Sequence, residues 1–178
     1  GTLPVPNGGT GLASGTTDQL LKFTGSTTLA SSAISTGKVI QTVSATGGAE
    51  LMTSSTFNST GLYATITPTA ATSRLLVFAT TPRIYNNGTE ELNAQIWKGT
   101  SGEASGSTVQ GLRSDGGGFS GNTDSPATMS VLIPASGVTT AATTFTVMHA
   151  NGNNSSLVGW YQGLTGAQGE LIIMEISA

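Results

Sequence analysis

Three groups of side chains in this chain have the types and spacing to bind a sugar or a protein surface. Trp97 follows Asn93 and Gln95 at two-residue intervals, so in a strand the three would share one face. Trp160 and Tyr161 follow the amide-rich run Asn151-Gly152-Asn153-Asn154. Tyr85, Asn86 and Asn87 sit where a turn between strands is expected. Aromatic planes cover the apolar faces of sugars, and amides fix hydroxyls by hydrogen bonds. Each group also has a packing reading: Trp97 against a neighbouring subunit, and one of the alternating pair Trp160 and Tyr161 in a core.

Bond-making chemistry is poorly supplied. There is no cysteine and one histidine, and no Gly-x-Ser-x-Gly elbow, phosphate loop or metal-spaced cluster. The expectation is a non-enzyme with no cofactor and no metal. His149 falls with Phe145 and Val147 at period two, which predicts a buried, hydrogen-bonded histidine. Cleaving a polysaccharide needs two carboxylates facing each other across a sugar. The acidic residues are instead scattered, and Glu90-Glu91 reads as a solvated turn after Asn86-Asn87-Gly88. Asp115 and Asp124 bracket a glycine-rich loop whose spacing fits no calcium-loop signature.

Composition narrows the classes further. Of 178 residues only 8% are charged, against roughly 25% in an ordinary soluble domain. The surface must therefore be built from hydroxyls, amides and small side chains. A net charge of −3 offers no basic footprint for nucleic acid, and no apolar run approaches the length of a membrane span. Without cysteine there is no disulfide framework, so oligomerisation is the expected source of added stability. The start at Gly1, inside a repeat-like pattern, suggests a piece of a longer polypeptide.

Strands must position these side chains. From Gly37 onward apolar runs recur at short intervals between turn residues, predicting strands at Lys38–Ser44, Leu62–Thr67, Arg74–Thr80, Leu92–Lys98, Thr128–Ile133, Thr144–Ala150, Leu157–Gln162 and Glu170–Ile176. Eight or so strands with long Gly/Ser/Asn connections predict an all-β, jelly-roll-like β-sandwich. The last run, Leu171-Ile172-Ile173-Met174-Glu175-Ile176, is apolar on both faces and so must be covered on both, which points to a subunit interface. Residues 1–36 read differently: polar, glycine-rich and sparse in apolar side chains, a short extended segment ahead of a domain at 37–178.

The opening Leu3-Pro4-Val5-Pro6-Asn7-Gly8-Gly9-Thr10-Gly11 resembles a pattern of bacteriophage tail-fibre shafts. The run from Asp18 through Leu20-Leu21-Lys22-Phe23 to Leu29-Ala30-Ser31-Ser32-Ala33 is similar to a second such pattern. The domain that opens Gly37-Lys38-Val39-Ile40-Gln41, continues through Ser59–Pro68 and Ser73–Val77 and closes on Leu171–Ile176 resembles the C-terminal tips of phage fibres and receptor-binding proteins. The resemblance implies a homotrimeric knob at the distal, extracellular end of a virion fibre, adhering without catalysis to a bacterial surface glycan or protein. Its alternative within the same family is a trimerisation and capping module; a depolymerase would need the carboxylate pair that is missing.

Overall fold

The computed structural model describes residues 19–25, 29–32, 37–48, 53–87, 91–99, 106–115, 122–152, 158–161 and 168–178. For 83–87, 112–115, 122–125 and 158–161 it describes the backbone. The chain divides into two compact units, 1–38 and 39–178. In the first, β1 (Leu20–Phe23) and β2 (Leu29–Ser32) form an antiparallel hairpin whose Leu20, Leu21 and Phe23 are exposed. The GGTG-type run lies outside the described residues.

The second unit is an antiparallel β-sandwich. Its strands are β3 (Val39–Gly47), β4 (Asn58–Ile66), β5 (Arg74–Asn87), β6 (Glu91–Gly99), β7 (Ser107–Asp115), β8 (Asn122–Ile133), β9 (Thr143–Asn151), β10 (Val158–Tyr161) and β11 (Gly169–Ile176). One sheet runs β8-β5-β11-β3, and β10 continues beside the far half of β5; the other runs β4-β9-β6-β7. Successive strands alternate between the sheets, except that β6 and β7 form a hairpin within one and β10 and β11 both lie in the other. Eight strands in that order are a jelly roll, as the sequence pattern predicts.

Period-two patterning explains the core. Leu62 and Ile66 of β4, Leu92 and Ile96 of β6, and Phe145 and Val147 of β9 meet Leu75 and Val77 of β5 and Leu171 and Ile173 of β11. The sheet that contains β11 is apolar on its outer face too. Ile172, Met174 and Ile176 alternate outward there beside Leu76 and Phe78 of β5 and Leu132 of β8. Leu132 is about half exposed and the others are half-buried. Ile173, by contrast, points into the core and is inaccessible.

Several elements depart from the sequence reading. β1 and β2 are added, and β4 and β8 begin earlier, at Asn58 and Asn122, so that Asp124 lies in a strand rather than a loop. Three further departures bear on the site. β7 was not anticipated, because Ser107-Thr108-Val109-Gln110-Gly111 carries little apolar signal; it is an edge strand with one wet face. β5 runs to Asn87 rather than stopping at Thr80: its register shifts between Thr81 and Ile84, and that irregularity accommodates Pro82 inside the strand. Tyr85, Asn86 and Asn87 therefore lie in a strand, not on a turn. Glu91 opens β6 and belongs to a ladder, not to a solvated turn, while Glu90 lies outside the described residues.

Candidate functional site

The outer face of the β4-β9-β6-β7 sheet brings together one of the three sequence-predicted groups and adds residues to it. Leu92, Ala94 and Ile96 of β6 are buried in the core, so Asn93, Gln95 and Trp97 alternate outward, all three half-buried. The indole Nε1 of Trp97 donates to Gln95 Oε1 at 2.8 Å, and the Thr108 hydroxyl of β7 donates to the same oxygen at 2.6 Å. Two donors on one amide oxygen fix the Gln95 side chain, which in turn holds the indole in place. The ring of Phe57, just before β4, stands 6.1 Å from that of Trp97 at 44°.

Across the sheet Trp97 neighbours Thr146 of β9, and Thr146 neighbours Tyr63 of β4. Directly opposed side chains on one face have Cβ atoms about 5 Å apart. Thr146 thus lies in a row between two aromatics, and Phe57 packs against one of them, Trp97. Tyr63 is 43% exposed, whereas Thr146 is 1% exposed. The Thr146 hydroxyl is buried and has no hydrogen-bond partner among the described residues. An unpaired buried hydroxyl costs about 1–3 kcal/mol.

Local backbone devices build this row. Gly61 adopts a left-handed φ of 76°, and the β4 register against β9 shifts between Ser59 and Tyr63. The shift is by two residues, so Ser59 and Tyr63 keep the same outward sense. Within it, the Thr60 hydroxyl donates to Val147 O at 2.9 Å and accepts from Leu62 N at 3.2 Å, in place of backbone ladder bonds. Below Tyr63, the hydroxyls of Thr65 and Thr144 lie 2.8 Å apart. Ser54 O accepts from Asn151 N at 2.8 Å, tying the chain ahead of Phe57 to the end of β9.

The other predicted residues fall elsewhere. β10 pairs with the far half of β5, so Trp160 is the cross-strand neighbour of Ile84, Tyr161 of Arg83 and Gly159 of Tyr85. The Trp160/Tyr161 and Tyr85/Asn86/Asn87 groups, read separately in the sequence, thus meet through their backbones on one extension of the first sheet. Asn151 is not an exposed loop residue: it ends β9 opposite Leu92 and is 1% exposed. Asn153 and Asn154 lie outside the described residues. Phe57, Tyr63 and Thr146 were missed. Tyr63 was legible as the odd member of Leu62-Tyr63-Ala64-Thr65-Ile66, but Phe57 precedes its strand and Thr146 looks like any strand threonine.

Among the described residues two buried ionisable groups, His149 and Glu175, complete the electrostatics. His149 extends the core-facing register of Phe145 and Val147; burial lowers its pKa to about 4, so it is neutral at pH 7. Glu175 is fully inaccessible. Burial pushes its carboxyl up, but hydrogen bonds from Ser73, Gln41 and Thr69 outweigh that and bring it down to about 2. Among the described residues no group of three His, Cys, Asp or Glu side chains is placed to hold a metal.

No protein-family model matches the sequence, and no curated protein matches it. Among solved structures, the VP2 subviral particle of infectious bursal disease virus is similar, with a TM-score of 0.44 and 14% identity. The match covers 86% of this chain and 36% of that one. A likeness of this degree carries no argument about function, and the jelly-roll assignment stands on the strand order itself.

Proposed function

We propose that this chain is the receptor-binding end of a bacteriophage fibre: a virion component that adheres without catalysis to a glycan on the bacterial surface and works as a homotrimer. The observation that carries the adhesive reading is the row Trp97–Thr146–Tyr63, extended by Phe57. It offers aromatic surface for the apolar face of a sugar ring, with Gln95, Asn93 and Thr108 at its side for hydroxyls. The resemblance of residues 3–33 to fibre shafts supplies the phage context.

The non-catalytic part rests on the sequence, which supplies no cysteine, one histidine and scattered acidic residues. Among the described side chains, Glu175 is engaged by five hydrogen-bonding groups, while Glu91 and Glu170 sit on different sheets. A second reading, a trimerisation and capping module, is favoured by a separate observation: the apolar outer face of the first sheet, made by Leu76, Phe78, Leu132, Ile172, Met174 and Ile176. The exposed Leu20, Leu21 and Phe23 of the hairpin add to it, since an isolated two-stranded hairpin is marginal alone.

Adsorption of the fluorescently labelled chain to a panel of bacterial strains tests the adhesive reading, with native mass measured by light scattering. The expected result is strain-selective binding by a trimer, lost in Trp97→Ala with the native mass unchanged. Binding that survives in both Trp97→Ala and Tyr63→Ala would remove the row from recognition and leave the capping module.

A further inference from the structure

The outer face of the first sheet carries its own electrostatic complement. The register of β5 on β11 sets four outward rows: Arg74 beside Ile176, Leu76 beside Met174, Phe78 beside Ile172, and Thr80 beside Glu170. Their intervening neighbours Leu75, Val77, Leu171 and Ile173 point into the core. An exposed arginine thus stands at one end of an apolar stripe, and a half-buried glutamate stands at the other. Exposed hydroxyls flank the stripe, with Ser44 of β3 beside Ile172 and Ser130 of β8 beside Phe78.

An apolar centre with a polar rim is the anatomy of an interface between chains. The opposite charges at its ends fit a second copy of this chain. Copies that meet by equivalent ends set Arg74 against Arg74, which repels, whereas head-to-tail copies bring Glu170 of one to Arg74 of the next. Head-to-tail contacts close into a ring when the rotation permits. From Arg74 to Thr80 the stripe spans about 20 Å, so three such faces joined as a triangle each stand about 6 Å from the common axis. Facing sheets pack about 10 Å apart, which gives each about 5 Å for its side chains. Three faces therefore close on a filled centre, while four would stand about 10 Å from the axis and leave an apolar channel.

We propose that this face forms the interior of the homotrimer, with the strands of the first sheet circling the axis and Arg74 of each copy paired with Glu170 of the next at three corners. The inference rests on the homotrimer proposed above, which supplies the number three; two copies stacked face to face satisfy the same charges. The corners set direction more than strength. Exposed ion pairs contribute little, and the affinity comes from the apolar stripe leaving water. Arginine suits a corner because its planar fork meets a carboxylate in one orientation.

The chain has no cysteine, so thiols introduced at the corners report on them alone. In the variant carrying both Arg74→Cys and Glu170→Cys, a short bis-maleimide can join neighbouring copies but cannot bridge the roughly 20 Å within one copy. The expected product on a denaturing gel is a covalent species of three chains, with no cross-link in either single variant. Charge reversal is the second arm, read from native mass over a dilution series. In Arg74→Glu, a weakening of about fivefold at each of three corners multiplies to about a hundredfold in the association constant. The midpoint concentration follows the square root of that constant, so it is expected to rise about tenfold. Adding Glu170→Arg to the same chain is expected to restore it.

Cross-linking in either single variant means that equivalent ends meet, which overturns the head-to-tail order. A native mass of two chains, with covalent pairs and no larger species, replaces the ring by the two-fold stack. A double reversal that assembles no better than Arg74→Glu overturns the corner pair. A native trimer that gives no cross-link in the double-cysteine variant overturns the inward face and leaves the homotrimer standing. A monomer mass for the parent chain, with no cross-link in the variant, removes both.

Discussion

Replacing Glu175 by glutamine keeps the shape of the side chain and removes its charge, which isolates what that charge does for the fold. Glu175 lies near the end of β11 and has no solvent exposure. Its Oε1 accepts from Thr69 N at 2.9 Å, Thr69 Oγ1 at 2.8 Å and Ala70 N at 3.4 Å. Its Oε2 accepts from Gln41 Nε2 at 2.6 Å and Thr69 N at 3.1 Å. Gln41 Nε2 also donates to Thr67 O at 2.8 Å, so one carboxylate ties β11 to β3 and to the loop between β4 and β5.

Burial alone would raise the pKa of Glu175, but the hydrogen bonds from Ser73, Gln41 and Thr69 bring it down from 4.5 to about 2. The folded pKa is the lower one, so the stabilisation is complete above pH 4.5 and is lost as pH falls through about 2. A difference of about 2.5 between the two pKa values, with the cost of burial already inside it, corresponds to about 3 kcal/mol at pH 7. By the same relation about 2 kcal/mol of it is gone at pH 3. In Glu175→Gln the new NH₂ meets N–H donors that had faced an oxygen, so the variant is expected to be about 2–3 kcal/mol less stable at pH 7. Urea unfolding of both proteins at pH 7 and pH 3 measures the gap, and the titration of every other group cancels between them. The gap is expected to shrink by about 2 kcal/mol at pH 3. An equal gap at the two pH values, or one below about 0.5 kcal/mol at pH 7, refutes a stabilising buried carboxylate.

His149 acts in a higher window. Burial lowers its folded pKa to about 4, so the unfolded chain binds the proton more tightly and stability falls as pH drops from 6.5 toward 4. About 2 kcal/mol should be lost by pH 5, read from urea midpoints, and His149→Gln should flatten that part of the profile. Thr146→Val removes the unpartnered hydroxyl at constant shape; on packing grounds it should stabilise by about 1 kcal/mol, and if the hydroxyl contributes to the site, binding should weaken in the same variant. Ile172→Asp charges the outer face of the first sheet without touching the core and should give monomers by light scattering, whereas an intact trimer would take that face out of assembly.

The sequence exposed the sandwich where one face of a strand is wet. Leu92, Ala94 and Ile96 against Asn93, Gln95 and Trp97 named both faces of β6 without any structure, and Phe145, Val147 and His149 gave the inward register of β9. It failed where register, not composition, decides the outcome. Thr146 matters because the shift at Ser59–Tyr63 brings Tyr63 beside it, and nothing in the residue order of β4 announces a two-residue slip except Gly61. β7 is hidden because an edge strand facing solvent can be written in Ser, Gln and Gly. β5 was cut short because Pro82 cannot donate to a ladder, and only the irregularity between Thr81 and Ile84 makes room for it.

The two outer faces of the sandwich are chemically unlike, and that contrast bears on how an adhesin with weak sites could hold a cell. One face carries Leu76, Phe78, Leu132, Ile172, Met174 and Ile176; the other carries Trp97, Tyr63 and Phe57 among hydroxyls and amides. With 8% charged residues the chain has little repulsion to keep copies apart, so the apolar face is the one that association would consume first. The aromatic row lies on the opposite sheet, so association through the apolar face would leave the half-buried Trp97 and the exposed Tyr63 as accessible as they are in one copy. Sites held on one scaffold raise one another's effective concentration, so joint binding can exceed single-site affinity by about 10²–10⁴-fold. On this account Ile172→Asp should weaken adsorption to cells by a factor of that order while leaving the affinity for a short soluble oligosaccharide unchanged. Trp97→Ala should abolish both, because it removes the contact rather than its multiplication.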